Sequence, residues 1–131
     1  MYGDQLRVRR ELLGLVPVWH YGVEMPDGSV AENGPFYGVR MNSLEGFASG
    51  GSVEVVPCEM TTAERDAAVE RARSREGEHA YNPLSWNCEH FATWCATGVA
   101  HSLQVVAWVM AFVKAALVGA VVMLCLDTRT A

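Results

Sequence analysis

The chain has no phosphate-binding glycine loop and no internal repeat, so neither nucleotide cradling by a P-loop nor a solenoid architecture is expected. It also has no apolar run near its N-terminus, and without such a region no secretory signal is expected. Its four cysteines therefore read as reduced thiols of a cytosolic domain. Basic side chains are few: ten Lys and Arg against fifteen Asp and Glu give a net charge of −5, which argues against nucleic acid as a specific partner. Arg7, Arg9 and Arg10 are too few to reverse that balance and are expected on a solvated N-terminal face.

Charge is scarcest toward the C-terminus, where Lys114 is the single charged residue between Val105 and Leu126. A helix over those residues, at about 1.5 Å per residue, is about 33 Å long against a hydrocarbon core of about 30 Å. The lysine costs about 2.5 to 3.5 kcal/mol at mid-membrane, while each Leu, Phe or Val returns about 0.3 to 0.6 kcal/mol. Eleven such residues return about 3.3 to 6.6 kcal/mol. The balance runs from break-even to favourable, and one lysine does not make the polar face of a surface helix. Residues 102–131 are therefore expected to be a membrane anchor following a domain over residues 1–101. A span so near the C-terminus leaves the domain in the cytosol, at a membrane surface, with membrane lipids as partners. The alternative is a hydrophobic helix buried against the domain or against a twin subunit, which would make the chain an oligomer.

The most informative stretch is Trp86-Asn87-Cys88-Glu89-His90-Phe91. Pro83 turns the chain before it, Ser85 or Asn87 can cap a helix, and Cys88 then falls in the first helical turn. Unpaired backbone N–H groups and the helix dipole favour the nucleophilic thiolate there. A candidate base lies upstream in Val16-Pro17-Val18-Trp19-His20-Tyr21-Gly22-Val23, an apolar, aromatic run that reads as a strand. Pro26-Asp27-Gly28 is a turn signal, and Ser29 to Glu32 form the returning arm. With residues 26–28 as the loop, Met25 pairs with Ser29 and Gly22 with Glu32, which sets Glu32 diagonal to His20 on one face. Taken one by one, each of these residues has a plainer role in packing or at the surface. Together they are nucleophile, base and orienter: Cys88, His20 and Glu32 are the candidate catalytic residues.

His20-Tyr21-Gly22-Val23 followed by Asp27-Gly28, with Asn87-Cys88-Glu89-His90-Phe91 later, resembles the H-box and NC motifs of the lecithin:retinol acyltransferase-like proteins, a permuted branch of the NlpC/P60 superfamily. The resemblance covers roughly residues 15–37 and 81–98. It implies an α+β fold in which a small antiparallel sheet carries the histidine and packs against a helix carrying the cysteine, with a hydrophobic C-terminal helix added here. In the cellular enzymes of that family the pair performs phospholipase and acyltransferase chemistry through a thioester. Two features depart from the cellular pattern. Glu32 stands where those enzymes usually place a second histidine, and the 68 residues from His20 to Cys88 are fewer.

Both departures are similar to the H-box/NC 2A proteins of some picornaviruses, kobuvirus-like members in particular. That resemblance implies a membrane-associated viral non-structural protein on the cytosolic face of host intracellular membranes. It would support genome replication or host-cell remodelling beside viral or host replication proteins, with a Cys-His site reduced or silent. The alternative is an active thiol acyltransferase or phospholipase acting through a Cys88 thioester. Protease activity is not expected, because the motif order resembles the lipid-acting branch.

In the middle of the chain, Phe36 to Arg40 and Ser52 to Val56 are predicted strands, and Leu44 to Gly51 a mobile loop. Thr61-Thr62-Ala63-Glu64 has capping-box spacing and opens a charged helix to about Arg75, expected at the periphery. His79, Cys88, His90 and Cys95 do not follow a zinc spacing, so no metal and no cofactor are expected. His90 is expected to hydrogen-bond within the fold, with Phe91, Trp94 and Cys95 filling the interface between helix and sheet.

Overall fold

A computed structural model describes the backbone of residues 1–130 and the side chains of residues 1–128. Its first hairpin joins β1 (Gln5–Leu12) to β2 (Val16–Glu24), with Val8 opposite His20 and Arg9 opposite Trp19. The Pro26-Asp27-Gly28 turn returns the chain into β3 (Val30–Gly34), pairing Gly22 with Glu32, and the Met25 N–H donates to the Ser29 carbonyl. This is the predicted register. A second tight turn leads to β4 (Gly38–Asn42), and β5 (Val53–Val55) pairs with β1. The sheet is antiparallel in the order β4-β3-β2-β1-β5.

Three helices pack on the sheet or on one another. The short α1 (Leu44–Ala48) seats Phe47 on Leu6, Val8 and Val30, while α2 (Thr62–Ser74) lies against α3 (Cys88–Thr97). The α3 helix covers β2 and β3 through Phe91 and Cys95, both fully buried with Tyr21, Val23, Ala31 and Val39, and Trp94 lies partly buried at the edge of that core. The last helix, α4 (Leu103–Thr130), leaves the domain, and its most apolar stretch is not covered by it.

Several local expectations change. Residues Leu44 to Gly51, read as a mobile loop, contain α1, because the Ser43 hydroxyl caps the Gly46 N–H at 3.0 Å and buried Phe47 ties the turn to the sheet. The fourth strand starts at Gly38 rather than Phe36, since Gly38 sits at φ +68 and takes the chain out of the turn. The segment around Arg7, Arg9 and Arg10, read only as a solvated face, is β1 between β2 and β5. Arg7 pairs with Glu54 and stacks on Trp19, and Arg10 donates to the Phe47 and Ala48 carbonyls. The capping box at Thr61 and Glu64 forms as expected, yet α2 is less peripheral than its charge suggested: Ala68, Val69 and Ala72 are buried.

Candidate functional site

Local rules place Cys88. Asn82 accepts from the Leu84 and Ser85 N–H groups, shaping the turn around Pro83, and Asn87 then caps α3 by accepting from the Glu89 and His90 N–H groups. The His90 Nδ1 reaches back to the Asn87 N–H and completes a capping box, so this histidine serves the helix start. Cys88 is the first residue of α3, and its thiol lies 3.9 Å from the Trp19 carbonyl oxygen. With the next two N–H groups taken by Asn87, the N–H of Cys88 is the donor left at the helix start.

His20 enters from β2. Its Nε2 lies 2.5 Å from Glu32 Oε2 and its ring centroid 5.3 Å from that of Phe47, and it lines the same cavity as Cys88, near enough for the two groups to act on each other's charge. Burial draws the imidazole toward its neutral form, but the bonds and charges of Cys88 and Glu32 outweigh that and hold its pKa at about 9. With Nε2 engaged by Glu32, Nδ1 is the nitrogen left for the thiol.

Glu32 is 1% exposed, far from the solvated carboxylate that a position after a hairpin turn suggests. Its second oxygen accepts from Arg40 Nε at 2.9 Å and from Asn42 Nδ2 at 2.8 Å. Burial opposes its charge, yet the bonds from His20, Asn42 and Arg40 hold its pKa down at about 2. The carboxylate is thus fixed on one side by two donors and offers its other oxygen to the imidazole. The three predicted residues, far apart in sequence, meet at one cavity of about 440 Å³. Tyr37 and Tyr81 also line it. Burial first, and then the Glu32 charge, push the Tyr37 phenol up to about 12, so it is a neutral donor at working pH. The remaining buried thiol, Cys95, is pushed up to about 12 by its apolar surroundings.

Sequence reasoning missed two groups at this site. Arg40 and Asn42 were findable, because β4 alternation places both on the Glu32 face once the β3–β4 register is known. Gln104 and Glu89 were not. Pairing of β2 with β3 ends at Gly22, which leaves the Trp19 N–H and C=O without a strand partner on that side. The Gln104 amide replaces the strand, its Oε1 accepting from the Trp19 N–H at 2.8 Å and its Nε2 donating to the Trp19 C=O at 3.0 Å. Glu89 is buried and accepts from the Leu103 N–H at 3.2 Å, the Gln104 N–H at 3.1 Å and the Ser102 hydroxyl. It caps α4 from α3.

The start of α4 is thus hydrogen-bonded to the strand residue next to His20. Gln104→Ala is expected to cost about 1 to 3 kcal/mol, the range for leaving buried backbone groups unsatisfied. Denaturant melts read the loss, and faster hydrogen exchange of the Trp19 amide locates it. Unchanged exchange there would show that water replaces the amide at no cost.

The arrangement holds a thiol, an imidazole and an oriented carboxylate in series, beside one backbone donor, in an apolar-walled cavity. Such a set can deprotonate the thiol, attack an acyl carbon and protonate a leaving group. Among the described residues no cluster of His, Cys, Asp and Glu is placed to hold a metal ion. A family model described as Lecithin retinol acyltransferase matches residues 33–101. No curated protein matches the chain. The matched span contains Cys88 and its capping Asn87. His20 and Glu32 lie before it and reach Cys88 through β2 and β3.

Proposed function

Because this chain belongs to the lecithin retinol acyltransferase family, we propose that it is a membrane-anchored thiol acyltransferase or phospholipase that takes acyl groups from lipid esters. One observation carries the reading: His20, held by a buried Glu32, shares one cavity with Cys88 where α4 begins. A fully buried carboxylate held by three side chains against its desolvation cost is the fixed orienting group that a working base calls for.

In the reaction, His20 takes the Cys88 thiol proton and the sulfur attacks the ester carbonyl carbon. The Cys88 N–H, at the positive end of α3, stabilises the oxyanion. The carbon–oxygen bond to the leaving alcohol breaks as His20 returns the proton to it, leaving the acyl group as a thioester on Cys88. Water or an amine or hydroxyl acceptor, deprotonated by His20, then cleaves the thioester and restores the thiol. Glu32 holds the ring orientation throughout. The α4 helix is the anchor in this reading: Leu103–Thr128 is 26 residues long, enough to cross a bilayer, and its most apolar 18-residue stretch has mean hydropathy 2.5. It keeps the cavity at the lipid surface.

Incubation of the full chain with phosphatidylcholine vesicles tests this directly. Intact mass is expected to show acyl increments on Cys88 that hydroxylamine removes, with release of fatty acid or lysolipid. A chain that gains no acyl group and releases no product is not an enzyme of this class.

A second reading is favoured by Glu32 and by the short spacing to Cys88, the two features that resemble picornaviral 2A proteins. In it the domain is a scaffold for viral genome replication or host-cell remodelling on the cytosolic face of host membranes, and its partners are replication proteins. Replication unchanged by Cys88→Ala supports that role; dependence on the thiol supports the enzyme.

A further inference from the structure

We propose that the end of the sheet around the cavity mouth is a bilayer-docking face, with the β1–β2 hairpin tip inserted between lipid headgroups. This rests on the reading of α4 as the membrane anchor and adds a second point of contact. The β1–β2 and β3–β4 turns lie at the same end of the antiparallel sheet. Their tips carry Leu13, Leu15 and Phe36 with 89%, 84% and 95% of their surface exposed, and Leu84 in the turn before α3 is also exposed. Leu12, Pro35 and Pro83, from the same three segments, and Trp108 from α4 line the cavity. The mouth is therefore ringed by apolar side chains on separate protrusions.

The tip of the first hairpin is unsuited to water. Leu13 and Gly14 both have left-handed φ, +54 and +68, and the Leu15 N–H donates to the Leu12 carbonyl at 3.1 Å. Such a turn favours Asn-Gly or Asp-Gly. A leucine there adopts a disfavoured backbone and buries nothing within the domain. Its side chain serves a partner that accepts apolar groups.

That partner is a bilayer, because the exposed apolar surface of α4 begins at the same mouth, where Gln104 and Trp108 line the cavity. Further along the strands, Arg7 and Arg9 lie over the Trp19 ring, with centroid distances of 4.2 and 5.1 Å. Apolar tip, then tryptophan and arginine, is the order in which side chains partition from acyl chains into headgroups. Glu11, the acidic residue beside the tip, is exposed and stays in the headgroup layer. Docked this way, the cavity opens onto the acyl region, and a lipid ester enters it without crossing water.

The test uses the full chain in nanodiscs of phosphatidylcholine and phosphatidylserine, in a Cys58→Ser, Cys88→Ala background. Cys95 stays buried and unlabelled. One sample carries a fluorophore on Cys125 in α4; a second carries it through Leu13→Cys with Cys125→Ser; a third, through Glu70→Cys with Cys125→Ser, reports an exposed site on α2. Quenchers are doxyl-labelled acyl chains and aqueous iodide. At position 13, acyl-chain quenching is expected to exceed that at position 70 several-fold, with iodide quenching reduced to match. If position 13 behaves like position 70 while Cys125 is quenched by lipid, the docking face is wrong and the anchor stands. If Cys125 is not quenched by lipid, both fail. Shielding of position 13 from both quenchers, rising with protein concentration, overturns the proposal in favour of a second copy covering the tip.

Discussion

Cys88→Ala is expected to lower acyl release by about 10³-fold or more, the usual loss when the nucleophile of a coupled set is removed. Fatty-acid release from vesicles measures the loss, and disappearance of the hydroxylamine-labile acyl adduct assigns it. The fold is expected to survive. Alanine is the best helix former, and the thiol makes one weak contact with the Trp19 carbonyl. Cys95→Ala is the matched control. That thiol is fully buried in the α3 interface and protonated at neutral pH, so its loss is expected to cost about 1 kcal/mol of packing and leave the adduct in place. An adduct that follows Cys95 instead would show the assignment of the nucleophile to be wrong.

Glu32→Gln is expected to lower turnover by about 10³- to 10⁴-fold while leaving most of the fold intact. A glutamine can still accept from Arg40 and Asn42 through its oxygen. Its other end must donate to His20 Nε2, which forces the ring proton onto Nδ1, the nitrogen left for the thiol. The imidazole then has no lone pair with which to take the proton. Glu32→Ala differs: it leaves the partly buried His20 and Asn42 without their partner, although Arg40 can turn to water. A stability loss of about 3 kcal/mol is expected.

The pH dependence carries a separate sign. Glu32 is held at about 2 against an ordinary 4.5, so its contribution to stability is full above pH 4.5 and lost as pH falls toward 2. His20 is raised to about 9 from 6.5, so its contribution is full below pH 6.5 and lost as pH rises through 9. Denaturant melts of the native chain are expected to show both limbs, and in Glu32→Gln the acid limb shrinks and the alkaline limb starts earlier. Identical profiles would mean that the carboxylate is not coupled to the ring.

Much of the site was legible because it obeys short-range rules. The Pro26-Asp27-Gly28 turn determines the β2–β3 register, and the register puts Glu32 beside His20. Pro83 and Asn87 start α3, and the helix start determines where Cys88 stands. Apolar length alone marks α4 as long enough to cross a bilayer. These outcomes depend on neighbours within a few residues, where propensity and hydrogen bonding act without help from the rest of the chain.

Other features depended on distant segments. Nothing near Arg7 to Leu12 reads as a strand, since its alternation of arginine with apolar residues makes sense only between β2 and β5, where Arg7 meets Glu54 and Arg10 meets the end of α1. Phe47 turns a glycine- and serine-bearing stretch into a helix only because Leu6, Val8 and Val30 stand ready to cover it. Gln104 and Glu89 acquire their roles because β3 parts from β2 at Gly22 and exposes a backbone edge that α4 happens to reach. The sequence by itself determined the thiol, the ring, the carboxylate and the apolar helix, through local turns and composition. Only the tertiary structure decided how they meet, because burial of Glu32 depends on the packed sheet that brings His20, Arg40 and Asn42 around it, and satisfaction of the Trp19 edge depends on Gln104, which the chain brings from 85 residues away.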